Sequence, residues 1–273
     1  MTDRPEPGRR VWVEQIMGLP VSIHVRGPAV DSDRVNDRVD AVFASLRAVD
    51  RLLSPYRDDS ALTRWERGEL ALGDAGPALP EVIELCEEAR QRTDGWFNAR
   101  DLPDPRGGRP RFDPSGLVKG WSVERAARHL DPLDDHDWHV NAGGDIVVST
   151  AGTGRPWRVG VEDPSDARRL TQVVEVRDGA IATSANTHRG GHIVDPFSGL
   201  PSPFRGSVTV VGPSLLWADV YATAGVARGS AAPDWCGDLE GYEAMILEPG
   251  GSIRVSKGWL DPGAVFPTRQ AYT

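Results

Sequence analysis

The chain contains little cysteine and no long apolar run. Its 273 residues include two cysteines, Cys86 and Cys236, which are too few for a disulfide framework. Cys86 falls within a helical pattern, where a buried free thiol is expected. No segment approaches the ~20 consecutive apolar residues that a membrane span requires. The chain is therefore expected to fold around an ordinary hydrophobic core, without membrane insertion.

Positive charge is also in deficit. Lysine and arginine total 31 against 40 acidic residues, giving a net charge of −9. This balance argues against nucleic acid as a partner, but an anionic ligand remains possible because a bound cation can hold one. Residues 1–10 are polar and contain neither a signal-peptide core nor a lipobox, so a cytoplasmic location is expected. We expect residues 1–10 to be a disordered lead and residues 11–273 to form one domain.

Helical spacing dominates the first half of the chain and alternation dominates the second. This order predicts an α+β fold, with helices mainly from the first half packed on a mixed, largely antiparallel sheet from the second half. A strand pair is expected at 11–25. Helices are predicted at 31–53, 80–93, 119–130 and 216–227, and later strands at 139–149, 157–161, 172–177, 180–183, 207–211, 242–247 and 252–256.

The segment from Trp217 to Ala224 carries the most informative pair of side chains. In a helix, Asp219 and Thr223 lie one turn apart on the same face. Two oxygen ligands stacked in this way can hold a hard cation such as Mg²⁺, which keeps positions open for phosphate oxygens and water. The same spacing also occurs as a plain surface hydrogen bond, so the pair needs support from other parts of the chain.

Several other segments have unusual polar content. Residues 112–120 place Asp113, a glycine-containing loop and Lys119 ahead of a predicted helix, where backbone N–H groups and the ammonium can meet an anion. A plain helix cap with a surface lysine is the alternative. Gly143 and Gly144 indicate a tight turn between strands. His192 lies near another turn and is either structural or directed into a cleft.

Taken together and in order, nine segments resemble the ApbE family of flavin transferases. They span most of the chain. The segments are Met17-Gly18, Ser54-Pro55-Tyr56-Arg57, Asp94-Gly95-Trp96-Phe97, Asp113…Lys119-Gly120, Gly143-Gly144-Asp145, Trp157 to Pro164, Ala182-Thr183-Ser184, His192 to Pro201, and Ala218-Asp219…Ala222-Thr223.

The resemblance implies a T-fold-related architecture and a chemistry. Members of the family bind FAD as substrate together with Mg²⁺, cleave the pyrophosphate, transfer FMN to a Ser or Thr hydroxyl of an acceptor protein, and release AMP. Other members hydrolyse FAD to FMN and AMP. By position, the metal ligands would be Asp219, Thr223 and the backbone carbonyl of Gly116, and His192 would be the general base. The residues against FAD would be Met17, Tyr56, Trp96, Phe97, Asn98, Asp113, Lys119 and Ile193.

Three motifs and one loop depart from the family pattern. Leu19 replaces a threonine, Asn98-Ala99-Arg100 stands where the family has Asp-Pro-Thr, and Ala185 replaces a glycine in the Thr-Ser-Gly segment. The loop 101–111 is short and arginine-rich where the family has a longer helical passage. None of them is in the expected metal site, but the first two bear on how the flavin is held. Three functions therefore stay open: FMN transfer to a protein, FAD hydrolysis, and FAD binding without turnover.

Overall fold

Ten β-strands form the framework of the fold. The computed structural model describes residues 8–103, 110–186 and 193–259. The strands are β1 (Gly8–Ile16), β2 (Leu19–Gly27), β3 (Asp137–Ala142), β4 (Asp145–Ser149), β5 (Trp157–Asp163), β6 (Asp166–Val176), β7 (Gly179–Ala185), β8 (Ser207–Gly212), β9 (Glu243–Leu247) and β10 (Ile253–Val255). Eight of them form one sheet in the order β1-β2-β3-β4-β7-β8-β9-β10, and β5 and β6 form a separate hairpin.

The predicted α+β class is confirmed. Every strand pair in the described ranges is antiparallel, and two of the strands in the main sheet, β1 and β2, come from the start of the chain. β1 begins at Gly8, ahead of the predicted start at Val11. Residues 1–7, the remainder of the expected disordered lead, lie outside the described residues.

Six α-helices accompany the strands in the part of the chain that the structure describes. The predicted helix at 31–53 is confirmed, and Ser32 is its N-cap. Two short helices were not predicted, because five or six residues are too few to show a helical period. No helix among the described residues is long and apolar enough to cross a membrane. The helices are α1 (Asp33–Leu53), α2 (Ala61–Glu66), α3 (Ala78–Arg92), α4 (Ser115–Ala127), α5 (Leu215–Arg228) and α6 (Ala232–Cys236).

Helix α4 begins earlier than predicted. The prediction that it begins at Lys119, at the end of a loop, is wrong, because α4 starts at Ser115 and carries Gly116 and Lys119 in its first two turns. Asp113 stabilises the N-terminus of α4, since its Oδ1 accepts a hydrogen bond of 3.0 Å from the backbone N–H of Ser115. Lys119 is therefore fixed on a regular element and does not lie in a loop.

The main sheet separates two apolar cores. Side chains alternate between the faces of a strand, so Val147 of β4 joins the larger core beneath the helices. Its neighbours Ile146 and Val148 join a smaller core with Trp157 of the β5–β6 hairpin. The helices and this hairpin therefore cover opposite faces of the sheet.

Helices α4 and α5 pack closely, and this contact positions the candidate site. A Cβ atom at Gly120 would lie 2.8 Å from the carbonyl oxygen of Leu215 and 3.1 Å from Cβ of Asp219, so only glycine fits between the helices. Glu124 joins them a turn later, accepting from Ser214 Oγ at 2.7 Å. The start of α5 is thereby fixed against the middle of α4.

Candidate functional site

A cavity of about 800 Å³ opens between the Met17–Leu19 turn, the end of α1, the start of α4 and one face of α5. This volume is in the range of small-molecule binding pockets. Eleven of the twelve residues that the resemblance selected line it. They are Met17, Tyr56, Trp96, Phe97, Asn98, Asp113, Gly116, Lys119, Ile193, Asp219 and Thr223.

The twelfth residue, His192, lies outside the described residues. Its neighbour Ile193 is part of the cavity wall, and Asn186 fixes this neighbour by accepting from the N–H of Ile193 at 3.0 Å and donating to its carbonyl at 3.3 Å. The role of His192 as a general base stays a prediction.

Asp219 and Thr223 both face the cavity from α5. Asp219 is 1% exposed, and its Oδ2 accepts a hydrogen bond of 3.2 Å from the backbone N–H of Gly120. The Thr223 hydroxyl lies 3.2 Å from Ser184 Oγ on β7. The helical spacing seen in the sequence therefore brings a carboxylate and a hydroxyl together at the wall of a cavity.

Lys119 lies between two buried carboxylates. Its ammonium forms an ion pair with Asp145 at the start of β4, and it lies 3.4 Å from Oδ1 of Asp219. Burial lowers the pKa of Lys119, but the two carboxylates raise that pKa by more, so its pKa lies above the usual value. Lys119 therefore stays a cation, and with both carboxylates ionised the three groups carry one net negative charge.

Burial has the opposite effect on the acid. It raises the pKa of Asp219 to about 7, because the loss of hydration raises this pKa by more than the positive charge of Lys119 lowers it. A buried carboxylate in this condition gains from additional positive charge nearby. A bound cation beside Asp219 would therefore stabilise the ionised form of this carboxylate, even in the presence of Lys119.

The side-chain oxygens of Asp219 and Thr223 are the kind of ligand that a hard cation such as Mg²⁺ takes. The resemblance adds the backbone carbonyl of Gly116 to them. Gly116 lies beside Thr223, since a Cβ built on this glycine would be 3.8 Å from Thr223 Cγ2. No group of three or more His, Cys, Asp or Glu side chains in the described ranges is arranged to hold a metal ion. A single carboxylate with neutral oxygens is suited to Mg²⁺, which retains water and takes ligands from phosphate.

Aromatic and thioether groups form another part of the cavity wall. Trp96 meets the exposed ring of Phe197 edge to face, with 4.8 Å between ring centroids. Tyr56 is 62% exposed, and the guanidinium of Arg111 lies 5.6 Å from the centre of its ring. Met17 adopts a left-handed backbone with φ of 55°, in the turn that joins β1 and β2. A flat ring system can contact such surfaces.

Two of the residues that depart from the family pattern make identifiable local contacts. Leu19 is 6% exposed and belongs to the larger core, where its side chain lies against Gly143. Asn98 uses its Oδ1 to accept from the N–H of Arg100 at 2.9 Å, a bond that an aspartate oxygen can accept equally well. Both residues line the cavity. The contacts described here do not involve Asp219 or Thr223.

Two site residues were within the quoted motifs but received no role. Asp145 follows the Gly143-Gly144 turn and pairs with Lys119, and its Oδ1 also accepts from the N–H of Thr183 at 3.1 Å. Ser184 supports the hydroxyl of Thr223. In the sequence, the glycine pair directly before Asp145 was the local sign that this position is special. The contacts of Asp145 with Lys119 and of Ser184 with Thr223 join elements that are distant in sequence, so no local pattern predicts them.

Comparisons with known proteins find the ApbE family. The model of the ApbE family matches residues 17–101 and 105–246. A FAD:protein FMN transferase of Vibrio cholerae is 32% identical over 185 residues, 58% of this chain and 54% of that relative. Another, from Salmonella typhimurium, is 24% identical over 326 aligned positions, 96% of this chain and 90% of the relative.

Solved structures show the same fold. An ApbE protein from Thermotoga maritima superposes with a TM-score of 0.75 at 22% identity, over 92% of this chain and 97% of that one. The flavin transferase ApbE from Vibrio cholerae gives a TM-score of 0.71 at 20% identity, over 92% and 98%. With the family model covering most of the sequence, this chain belongs to the ApbE family.

Proposed function

We propose that this protein is a FAD:protein FMN transferase that moves FMN from FAD to a Ser or Thr hydroxyl of an acceptor protein and releases AMP. The observation that carries the proposal is the position of Asp219 and Thr223, one helical turn apart on the wall of a cavity of about 800 Å³ that also has an aromatic side. The names of the relatives support the same activity.

The reaction is a phosphoryl-type transfer. The acceptor oxygen attacks the phosphorus of the FMN half, the bridging P–O bond to the AMP half breaks, and AMP leaves with the bridging oxygen. The hydroxyl proton goes to a base, for which His192 is the candidate, since an unperturbed imidazole pKa of ~6.5 suits this task. Such transfers require mainly positioning and charge stabilisation from the protein.

The chain's own residues supply these two requirements. Asp219, Thr223 and the Gly116 carbonyl would hold Mg²⁺, which when bound neutralises pyrophosphate charge and polarises the scissile bond. Lys119 presents a permanent cation at the same wall. Tyr56 and Trp96 would contact the flavin ring, each such contact contributing ~0.5–1.5 kcal/mol beyond area burial.

The test uses the purified full chain with FAD, MgCl₂ and a threonine-containing acceptor peptide. AMP release together with a peptide heavier by one FMN minus water supports transfer. AMP and free FMN with an unmodified peptide would identify a FAD hydrolase. FAD binding without AMP, over a series of divalent metals, would identify a binding protein. The same peptide with threonine replaced by valine is the matched control, because it retains the size of the side chain and lacks the nucleophile.

A further inference from the structure

A second cavity lies on the face of the main sheet that the helices do not cover. It has a volume of about 460 Å³ and lies between strands β1 to β4 and strand β5 of the hairpin. It shares no lining residue with the first cavity. His24 and Arg26 reach it because they alternate along β2 with Ile23 and Val25, which belong to the core beneath the helices.

This cavity is strongly basic in an acidic protein. Four arginines line it, together with two histidines and Asn141, and none of the described residues in its lining is an aspartate or a glutamate. The whole chain has a net charge of −9, so the charge at this cavity is opposite in sign to the net charge of the protein. The arginines are Arg9, Arg26, Arg155 and Arg158.

Nearby carboxylates compensate only part of this charge. Asp137 accepts from Arg26 at 2.8 Å, and Glu175 lies 4.0 Å from Arg158 across an exposed gap. Within the described ranges, the guanidinium groups of Arg9 and Arg155 have no carboxylate within ion-pair distance. Two guanidinium groups at the cavity therefore lack a carboxylate counter-charge among the described residues.

Two of the four arginines, Arg9 and Arg26, lie over the indole ring of Trp157. The guanidinium of Arg26 lies 4.1 Å from the ring centre of Trp157, and that of Arg9 lies 5.8 Å away. His139 meets the same indole edge to face at 4.4 Å, and His24 stacks on His139 at 4.2 Å. Arginines ordered by such contacts lose less side-chain entropy when they bind an anion.

The histidines add neutral hydrogen-bonding groups. Burial is the main cause that lowers the pKa of His139 to about 3, and His24, Arg9 and Arg26 make smaller contributions to the same shift. Burial and Arg9 also lower the pKa of His24, whose Nδ1 accepts from Arg9 at 3.0 Å. The Nε2 atom of His24 therefore carries the proton and is a donor.

We propose that this basic cavity is a binding site for a small, multiply charged oxyanion that carries phosphate or carboxylate groups. Planar guanidinium groups bind both kinds of oxyanion through paired hydrogen bonds. The bounded volume suits a metabolite-sized ligand. The site is separate from the proposed FAD site, since the two cavities open on opposite faces of the sheet.

The test is isothermal titration calorimetry of the full chain in metal-free buffer that contains no chelator, with pyrophosphate, inorganic phosphate and citrate as separate probes. The Arg9→Gln/Arg155→Gln variant removes the two cations that lack carboxylate partners. The matched control, Arg90→Gln/Arg254→Gln, removes the same charge from exposed positions outside the cavity. Equal melting temperatures for the two variants establish that both are folded.

We expect at least one probe to bind, with a Kd that rises on the order of tenfold or more in the Arg9→Gln/Arg155→Gln variant and less than about twofold in the control. Stronger binding of pyrophosphate or of citrate identifies the phosphate or the carboxylate source. FMN transfer, where present, stays at the parent rate in the Arg9→Gln/Arg155→Gln variant. The proposal is overturned when no probe binds, when the two variants bind equally, or when FAD displaces the probe.

Discussion

The ammonium of Lys119 lies 3.4 Å from Oδ1 of Asp219 and forms a second ion pair with Asp145. A cation that binds Asp219 must share this carboxylate with Lys119. Asp145 provides the means, because it retains the ammonium when the charge on Asp219 is directed to a metal. The arrangement predicts that, when a metal is bound, Asp219 coordinates the metal and Asp145 keeps the ion pair with Lys119.

Replacing Asp219 with asparagine tests the metal role. Asparagine has nearly the same shape and retains an oxygen for the N–H of Gly120, whose bond is 3.2 Å long. The fold should therefore persist, while the loss of the only charged ligand should lower Mg²⁺-dependent turnover on the order of 1,000-fold, a barrier increase of several kcal/mol. The measurement is the rate of AMP release as a function of Mg²⁺ concentration.

Asp50→Asn is the matched control for this change. Asp50 lines the same cavity from α1 but contributes no ligand to the expected metal site, so turnover should stay within about threefold of the parent. Near-normal AMP release by a folded Asp219→Asn protein would contradict the metal assignment.

Ser184 should position Thr223 without binding the metal itself. Its Oγ lies 3.2 Å from the Thr223 hydroxyl, and partners of this kind orient a metal ligand. Ser184→Ala should raise the Mg²⁺ concentration for half-maximal turnover by about 10-fold. Turnover at saturating Mg²⁺ should change much less, and this separation distinguishes a positioning role from general damage.

Thr183→Val controls for the loss of a hydroxyl from the same strand. Thr183 pairs with Thr209 at 2.9 Å, away from Thr223, so its replacement should reduce stability by about 1–3 kcal/mol and leave the Mg²⁺ requirement unchanged. Equal Mg²⁺ requirements in Ser184→Ala and the parent protein would remove Ser184 from the site.

The close contact between α4 and α5 predicts a large effect of one methyl group. A Cβ at Gly120 would lie 2.8 Å from the backbone oxygen of Leu215 and 3.1 Å from Asp219 Cβ. Gly120→Ala should therefore cost about 1–3 kcal/mol of unfolding free energy and displace Asp219, lowering turnover as well. Urea denaturation measures the first effect.

Gly73→Ala provides the comparison. A Cβ at Gly73 would meet no atom within 4 Å, so alanine should leave both the urea midpoint and the rate of AMP release close to those of the parent protein. Equal midpoints for the two alanine variants would show that the helices tolerate wider spacing than this contact indicates.

The sequence alone predicted those parts of the site whose residues are close together in one helix. Asp219 and Thr223 could be paired because one helical turn fixes their relation. The start of α4 was misplaced because Pro114, Gly116 and Gly120 weaken the helical signal at the segment that carries Lys119.

Contacts between distant elements were not accessible in the same way. Gly120 and Asp219 are 99 positions apart, and no local pattern connects them. The basic cavity is a similar case, since its arginines come from β1, β2 and the region before and within β5. Only the antiparallel register, which sets Arg26 opposite Asp137 and His24 opposite His139, brings these residues together.

The two thiols should be unreactive in the folded protein. Both Cys86 and Cys236 are buried, and burial raises the pKa of each thiol to about 12. Because the thiolate is the reactive form, native protein at pH 8 should not react with a disulfide reagent such as DTNB during an hour, whereas protein in urea should release two equivalents.

The same shift gives the direction of a pH effect on stability. A thiol whose pKa is about 12 in the fold and about 8.5 in the unfolded chain keeps its proton more firmly when folded. Its contribution to stability is complete below the unfolded value and declines as pH rises from about 9 towards 12. Cys86→Ala should reduce the steepness of this decline in urea midpoints measured from pH 7 to pH 11. Rapid labelling of a native thiol at pH 8 would show that one of the two sites opens to solvent.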